Sequence, residues 1–302
     1  MRRGLLWLLA VLVVAAAAFA GAGCGDDEDS GSGGQTDTSG ATSTAPAPSG
    51  GLTLDELRSR DRIVFGVKFD QPLFGLKNPT NDEVEGFDVE IAKLIAQAIL
   101  GEGFEDKIEF RETPSRVREA SIEDGTVDMV VATYTINDTR KEVVDFAGPY
   151  YVAGQDIMVR ADDDSITGVQ DLNGKKVCSA VGSTSIDNVR EQAPQADLSI
   201  SFDRYSLCAE ALADRRVDAV TTDNIILLGL IKESDGAFKL VGQPFTEEPY
   251  GIGMRKGSDE LRSFVNDRLE EIYASGEWKA AFDATIGTAG ETAPEPPAVD
   301  RY

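Results

Sequence analysis

Two segments of this chain carry one pattern. Asp124-Gly-Thr-Val-Asp-Met-Val-Val-Ala-Thr133 is matched by Asp214-Arg-Arg-Val-Asp-Ala-Val-Thr-Thr-Asp223. Each reads as a helix end, a tight turn and a Val-Asp-x-Val strand that finishes on hydroxyl-bearing residues. Two copies in the same setting predict two similar α/β lobes, although Val-Asp-x-Val is also a common strand pattern. In open α/β sheets, ligands sit beyond the carboxyl ends of strands. Thr133 to Thr135 and Thr221 to Asp223 are therefore expected to face one crevice.

The chain around the repeats alternates strand-like and helix-like segments, the signature of an α/β fold. Arg62–Val67 reads as a first strand, and Phe87, Ile91, Leu94, Ile95 and Ala98 form a helical stripe. Strands are expected at Ile108–Phe110 and Val127–Ala132, with a helix across Arg116–Ile122 between them. Phe146–Arg160 reads as extended. The second set has strands at Lys175–Val181, Leu198–Phe202 and Val217–Thr221, with helices at Ser185–Glu191, Leu207–Ala213 and Ile225–Ile231.

The flanks differ in composition. Arg2 and Arg3 precede an uncharged apolar run from Leu5 to Phe19 and then small residues, as in a secretory leader. Gly21-Ala-Gly-Cys24 resembles a bacterial lipobox with Gly21 in place of the usual Leu. That resemblance implies a lipoprotein signal peptide at 1–23 and a lipid on Cys24; cleavage nearby would instead leave Cys24 a free thiol. Residues 24–51 lack apolar periodicity and read as a flexible tether, and 287–302 as a disordered tail. Beyond the membrane the compartment is oxidising, so the remaining Cys178 and Cys208 are expected to pair; two buried thiols are the alternative.

Charge narrows the chemistry. With 29 basic and 53 acidic residues the net charge is −24, which argues against nucleic acid. There is no histidine, so His triads, His metal ligands and His acid–base catalysis are excluded. No cofactor or metal is called for. Against this acidic background, Lys68 ends the first strand, Arg116 opens a helix and Arg140 follows Thr133-Tyr-Thr135-Ile-Asn-Asp-Thr. Arg140 suits a carboxylate through its two-pronged donor geometry, or pairs on the surface with Glu142 or Asp145. The Val181-Gly-Ser-Thr184 turn either donates to an anion or simply caps a helix. Asp223 either takes an ammonium or caps the next helix. Three cations and one carboxylate around one crevice would match a ligand with two carboxylates and one ammonium.

These residues bring out a resemblance. Ile63-Val-Phe-Gly-Val-Lys68-Phe-Asp-Gln-Pro, Gly86-Phe-Asp-Val-Glu90, Thr133-x-Thr-x-Asn-x-Thr-Arg140, Asp145-Phe-x-x-Pro-Tyr-Tyr151, Asp171-Leu-x-Gly-Lys175, Val217-Asp-Ala-Val-x-Thr-Asp223 and Tyr250-Gly-Ile-Gly are similar to the family 3 extracellular solute-binding proteins. The likeness extends to actinobacterial glutamate-binding lipoproteins, paired cysteines included. It spans about Leu52 to Phe282.

The resemblance implies a two-lobed, type II periplasmic-binding-protein-like fold with a two-strand hinge, each lobe an open mixed sheet flanked by helices. Lobe one would comprise 52–150 and 248–286, and lobe two 151–247. Arg140, Thr135 and the Thr184 turn would hold an amino acid's α-carboxylate; Asp223 and the Thr133 carbonyl would hold its ammonium. Lys68 and Arg116 would hold a side-chain carboxylate, which points to glutamate, with glutamine, aspartate and cystine as alternatives. Tyr205 would line the site. The implied role is a non-enzymatic, monomeric, lipid-anchored extracytoplasmic subunit serving an ABC permease and ATPase. A sensor subunit and a secreted dehydratase on the same scaffold are the rival readings.

Overall fold

The computed structural model describes residues 50–302. The leader, Cys24 and the tether up to residue 49 lie outside the described residues. In chain order the first elements are α1 (Leu54–Arg60), β1 (Ile63–Val67), β2 (Asp70–Gln71), β3 (Gly75–Lys77), β4 (Val84–Glu85) and α2 (Phe87–Leu100). There follow β5 (Ile108–Glu112), α3 (Arg118–Glu123), β6 (Met129–Val130), α4 (Asp138–Val143) and β7 (Val144–Ala153). The middle section holds β8 (Gln155–Arg160), β9 (Val177–Cys178), α5 (Thr184–Gln192), α6 (Tyr205–Ala213), β10 (Ala219–Asp223), α7 (Asn224–Lys232) and β11 (Phe238–Leu240). The chain returns through β12 (Glu248–Arg255) to α8 (Asp259–Ser275) and α9 (Glu277–Ala284).

Nine of the twelve described strands form two mixed sheets, one per lobe. The first has the order β5-β1-β6-β12-β7, with β1 parallel to β5 and β6 and with β12 antiparallel to β6 and β7. The second has the order β11-β8-β10-β9, with β9 and β10 parallel and β8 antiparallel to β10 and β11. Each sheet is apolar on both faces because helices cover both. Met129 and Val131 join one core while Val130 and Ala132 join another. Ile157 and Val159 likewise face away from Met158. This period of two is what a sheet buried on both sides demands. The expected two-lobed α/β architecture is the one observed.

The repeated Asp has a structural task in both lobes. Asp128 accepts the backbone N–H of Val64 at 2.8 Å, and Asp218 accepts that of Lys176 at 2.9 Å. Each carboxylate thus staples its own strand to the next parallel strand. The preceding turns match too: Gly125 and Arg215 both take positive φ, at 75° and 58°.

Three regions differ from the sequence reading. Leu198–Phe202 is not a strand; only Asp197 and Phe202 make isolated bridges there. Asp197 accepts from the Ser199 N–H and Ser201 donates to the Leu198 carbonyl, and such local bonds compete with a ladder. Residues 70–85 form an unforeseen three-stranded antiparallel sheet, β2-β3-β4. The tail at 287–302 is docked rather than disordered. The Asp300 N–H donates to the Gly148 carbonyl and the Phe146 N–H to the Tyr302 hydroxyl. The Tyr302 ring lies between Lys141 and Arg262, 3.9 and 4.6 Å from its centroid. Composition hid this because β7 is an edge strand, and the tail satisfies backbone groups that the edge would otherwise leave free.

Cys178 and Cys208 form the expected disulfide, tying the end of β9 to α6 across a separation of 30 residues. Closing a loop of that length constrains the unfolded chain by about 3–4 kcal/mol. Cys208→Ser is therefore expected to lower the unfolding free energy in urea by about that amount, and a loss below about 1 kcal/mol would contradict the chain-entropy account.

Candidate functional site

Beyond the carboxyl ends of β1, β6, β9 and β10, both lobes bring charged side chains to one place. Lys68 follows β1 and is buried, and its ammonium donates to Ser115 Oγ at 2.9 Å. Burial first, and then the Arg118 charge, push its pKa down to about 7. Arg140 is also buried; it donates to the Thr135 carbonyl at 2.7 Å and reaches the Gly182 carbonyl of the other lobe at 3.4 Å. Burial lowers its pKa to about 10, with Arg118 the next cause. Asn137 caps the short helix α4 through the Arg140 N–H, so the anion-facing group here is the guanidinium rather than the helix end.

The third cation is Arg118, not Arg116. Arg116 is exposed and donates to Asp203 of the other lobe at 2.6 Å. Arg118 is buried and donates to the Ala132 and Thr133 carbonyls, at 2.9 and 3.4 Å. Its guanidinium lies 4.1 Å from the Tyr134 ring centroid, and its Nε has no partner. The signal was available. Ile122 is a core residue, and position 118, one helical turn earlier, shares its inward face. Position 116 lies in the preceding tight turn, Ser115–Val117, and does not share that face.

Thr133 takes a left-handed φ of 46°. Asp88 at the start of α2 holds it there by accepting the Thr133 N–H at 2.9 Å, while the Tyr150 hydroxyl donates to the other oxygen at 2.5 Å. Burial raises Asp88 to about 7. Thr135 offers its carbonyl to Arg140.

From the second lobe, Thr184 begins α5 and donates to Glu248 at 3.0 Å. Asp223 ends β10, is buried, and accepts from the Tyr250 hydroxyl at 2.5 Å. Its side chain makes no cap bond to α7, and its Oδ1 is unpartnered. Burial, and next Glu248, raise its pKa to about 7. Tyr205 belongs to the core of the second lobe, in the cluster that holds both cysteines, and borders the site through Asp223, Thr222 and the Ser183–Ser185 turn. The sequence reading missed Asp88, Tyr250 and Glu248; the last also accepts from Asn188 and Thr246 where β12 re-enters the first lobe.

The lobes are in contact. Besides Arg116–Asp203, Arg204 donates to Glu112 and Ser206 to Asp70. Two glycines permit this approach. A Cβ on Gly182 would stand 2.6 Å from the Arg116 Cα, and one on Gly229 of α7 would stand 2.5 Å from the Pro72 carbonyl oxygen. Among the described residues no group of three His, Cys, Asp or Glu side chains is placed to hold a metal.

Residues 63–288 match the family model of bacterial extracellular solute-binding proteins, family 3. The chain belongs to this family. It is 43% identical over 78% of its length, and 84% of the relative, to the glutamine-binding protein of an ABC transporter from Bacillus subtilis. It is 40% identical over 77% of its length, and 81% of the relative, to a glutamate-binding protein from Corynebacterium efficiens. The solved structure of a solute receptor for L-cysteine from Neisseria gonorrhoeae superposes with a TM-score of 0.74, at 30% identity, covering 82% of this chain and 99% of that one. This family 3 member is accordingly an extracytoplasmic solute-binding protein and not an enzyme.

The lobes could not approach this closely with a side chain at either glycine. Gly229→Val is expected to hold the lobes apart and weaken solute binding at least about tenfold with little change in melting temperature. Unchanged affinity would mean that α7 does not approach β2 when solute binds.

Proposed function

We propose that this family 3 protein captures an amino acid between its lobes, glutamate in preference to others, and presents it to an ABC importer. The observation that carries the reading is the charge pattern. Three buried cations, Lys68, Arg118 and Arg140, stand with the buried carboxylates Asp88, Asp223 and Glu248, and of these three acids Asp223 alone keeps an unpartnered oxygen, its Oδ1. A zwitterion with a second acidic end complements that set. Arg140, with Thr135 and the turn at Thr184, holds the α-carboxylate. Asp223 and the Thr133 carbonyl hold the ammonium. Lys68 and Arg118 hold the side-chain carboxylate. The lipid on Cys24 keeps the protein beside its permease and ATPase.

Closing the lobes from about 1:99 to 99:1 requires a differential affinity of about 5.5 kcal/mol. Hydrogen bonds to charged groups contribute about 1.5–3 kcal/mol each, so a few in a dry cleft suffice.

Glutamine is the second reading, favoured by the identity to the Bacillus relative and by the depressed pKa of Lys68. Titration calorimetry with both ligands separates them, and a clear preference for glutamine ends the glutamate assignment. Arg118→Ala is expected to weaken glutamate by about 100-fold or more, because it removes one member of a buried charge set. Arg116→Ala, which loses only an exposed pair, is expected to cost less than about fivefold. The reverse order would return the carboxylate contact to Arg116.

The depressed Lys68 gives a pH test with a definite sign. Below about pH 7 the lysine is already charged; above it, glutamate must draw a proton onto Lys68 to bind. Asp223 meets the ammonium of either ligand, so its titration cancels in a ratio. The glutamate-to-glutamine affinity ratio should therefore fall between about pH 6.5 and 8.5, by at most about tenfold per unit. A ratio that is flat or rising removes Lys68 as the carboxylate partner.

A further inference from the structure

We propose that Gln71 reads the end of the ligand's side chain and sets how strongly the site distinguishes a carboxylate from an amide. This inference rests on the reading above that an amino-acid side chain ends beside Lys68 and Arg118. Gln71 lies three residues after Lys68, on β2, and has no solvent exposure. Its Oε1 is 3.0 Å from Thr133 Oγ1, while its Nε2 is buried without a partner. A buried primary amide with an unused N–H2 is costly unless something accepts from it.

The surroundings say what that acceptor is. Thr133 is the residue whose carbonyl faces Arg118 and whose backbone is fixed by Asp88. The Pro72 carbonyl, next along the chain, is covered by Gly229 of α7, so approach of the second lobe seals the β2 segment. The Phe74 N–H donates to the Gln71 carbonyl, and the Phe74 ring is anchored in the core, which fixes the turn. Gln71 thus presents a rigid donor in the same segment as Lys68, suited to a ligand oxygen.

The Thr133 hydroxyl adds an alternative. Its oxygen is 2.8 Å from the Ala132 carbonyl as well as 3.0 Å from Gln71 Oε1, and it has one proton to donate. When that proton goes to Gln71, the amide offers N–H2 to a carboxylate. When it goes to Ala132, the amide can turn by half a revolution, donate to the Thr133 oxygen and offer its carbonyl to a ligand amide. One side chain then serves both ends, at the cost of strict discrimination.

Calorimetry on the full exported chain, with glutamate and glutamine as probes, tests this. Gln71→Glu should weaken glutamate by about 100-fold by opposing two carboxylates, and glutamine by less than about tenfold. Gln71→Met should weaken both by about tenfold with an unchanged melting temperature. A Gln71→Glu ratio within about threefold of the parent overturns the proposal; should that variant not fold, unchanged affinities in Gln71→Met overturn it instead. A parent protein that prefers glutamine ends the glutamate assignment, yet a shifted ratio would still uphold Gln71. A parent that binds neither ligand sinks both.

Discussion

Three cationic side chains buried within reach of one another repel, and the rest of the cleft is organised around that repulsion. Arg118 depresses both Lys68 and Arg140, second only to burial itself. The protein supplies partial relief. Tyr134 lends its ring to both guanidinium groups, Glu119 lies 3.4 Å from Arg140, and backbone carbonyls of residues 132, 133 and 135 point at them. Relief is incomplete, because Lys68 sits near 7 and the nearby buried acids Asp88 and Asp223 are themselves raised to about 7. The dianionic, singly ammonium-bearing ligand proposed above would remove the imbalance and so couple recognition to closure.

The same logic would reconcile the chain's net charge of −24 with the anionic ligand proposed above. Exposed charges more than about 8 Å away are largely screened at physiological salt, whereas buried ones are not. The acidic surface governs solubility. The cleft, lined by Lys68, Arg118 and Arg140, governs binding.

Much of this was legible in the sequence, and the failures have physical causes. The lobes followed from the repeated Val-Asp-x-Val segments, and the sheets from short apolar stretches such as 129–132 and 157–159, which are buried on both faces. Asp223 stood out as the last residue of a strand, and Arg140 as the cation of the helix α4 that follows the first repeated strand. Arg118 was overlooked beside Arg116 because a tight turn at 115–117 rotates the following residues, and periodicity does not report such a turn. The little sheet at 70–85 escaped because its strands are only two or three residues long. The tail and Gln71 escaped for one shared reason: their roles depend on partners far away in sequence, Phe146 and Gly148 for the tail and Thr133 for the amide.

The contacts between the lobes also indicate what keeps the cleft shut. Arg116–Asp203 and Arg204–Glu112 cross its rim, but three of these four side chains are more than 40% exposed. Such pairs are worth about 0–1 kcal/mol each, against the roughly 5.5 kcal/mol that a decisive shift requires. The rim can therefore orient the closing lobes and respond to salt without holding them together. The hinge side is also self-satisfied, since Glu248 accepts from Thr184, Thr246 and Asn188. What remains to drive closure is the set of groups with unspent capacity: the Asp223 oxygen, the Arg118 Nε and the Gln71 amide, all buried and unpartnered. Closure without a ligand would bury these groups unpaired at about 1–3 kcal/mol each, so the cost of an empty closed state and the gain on binding have the same source.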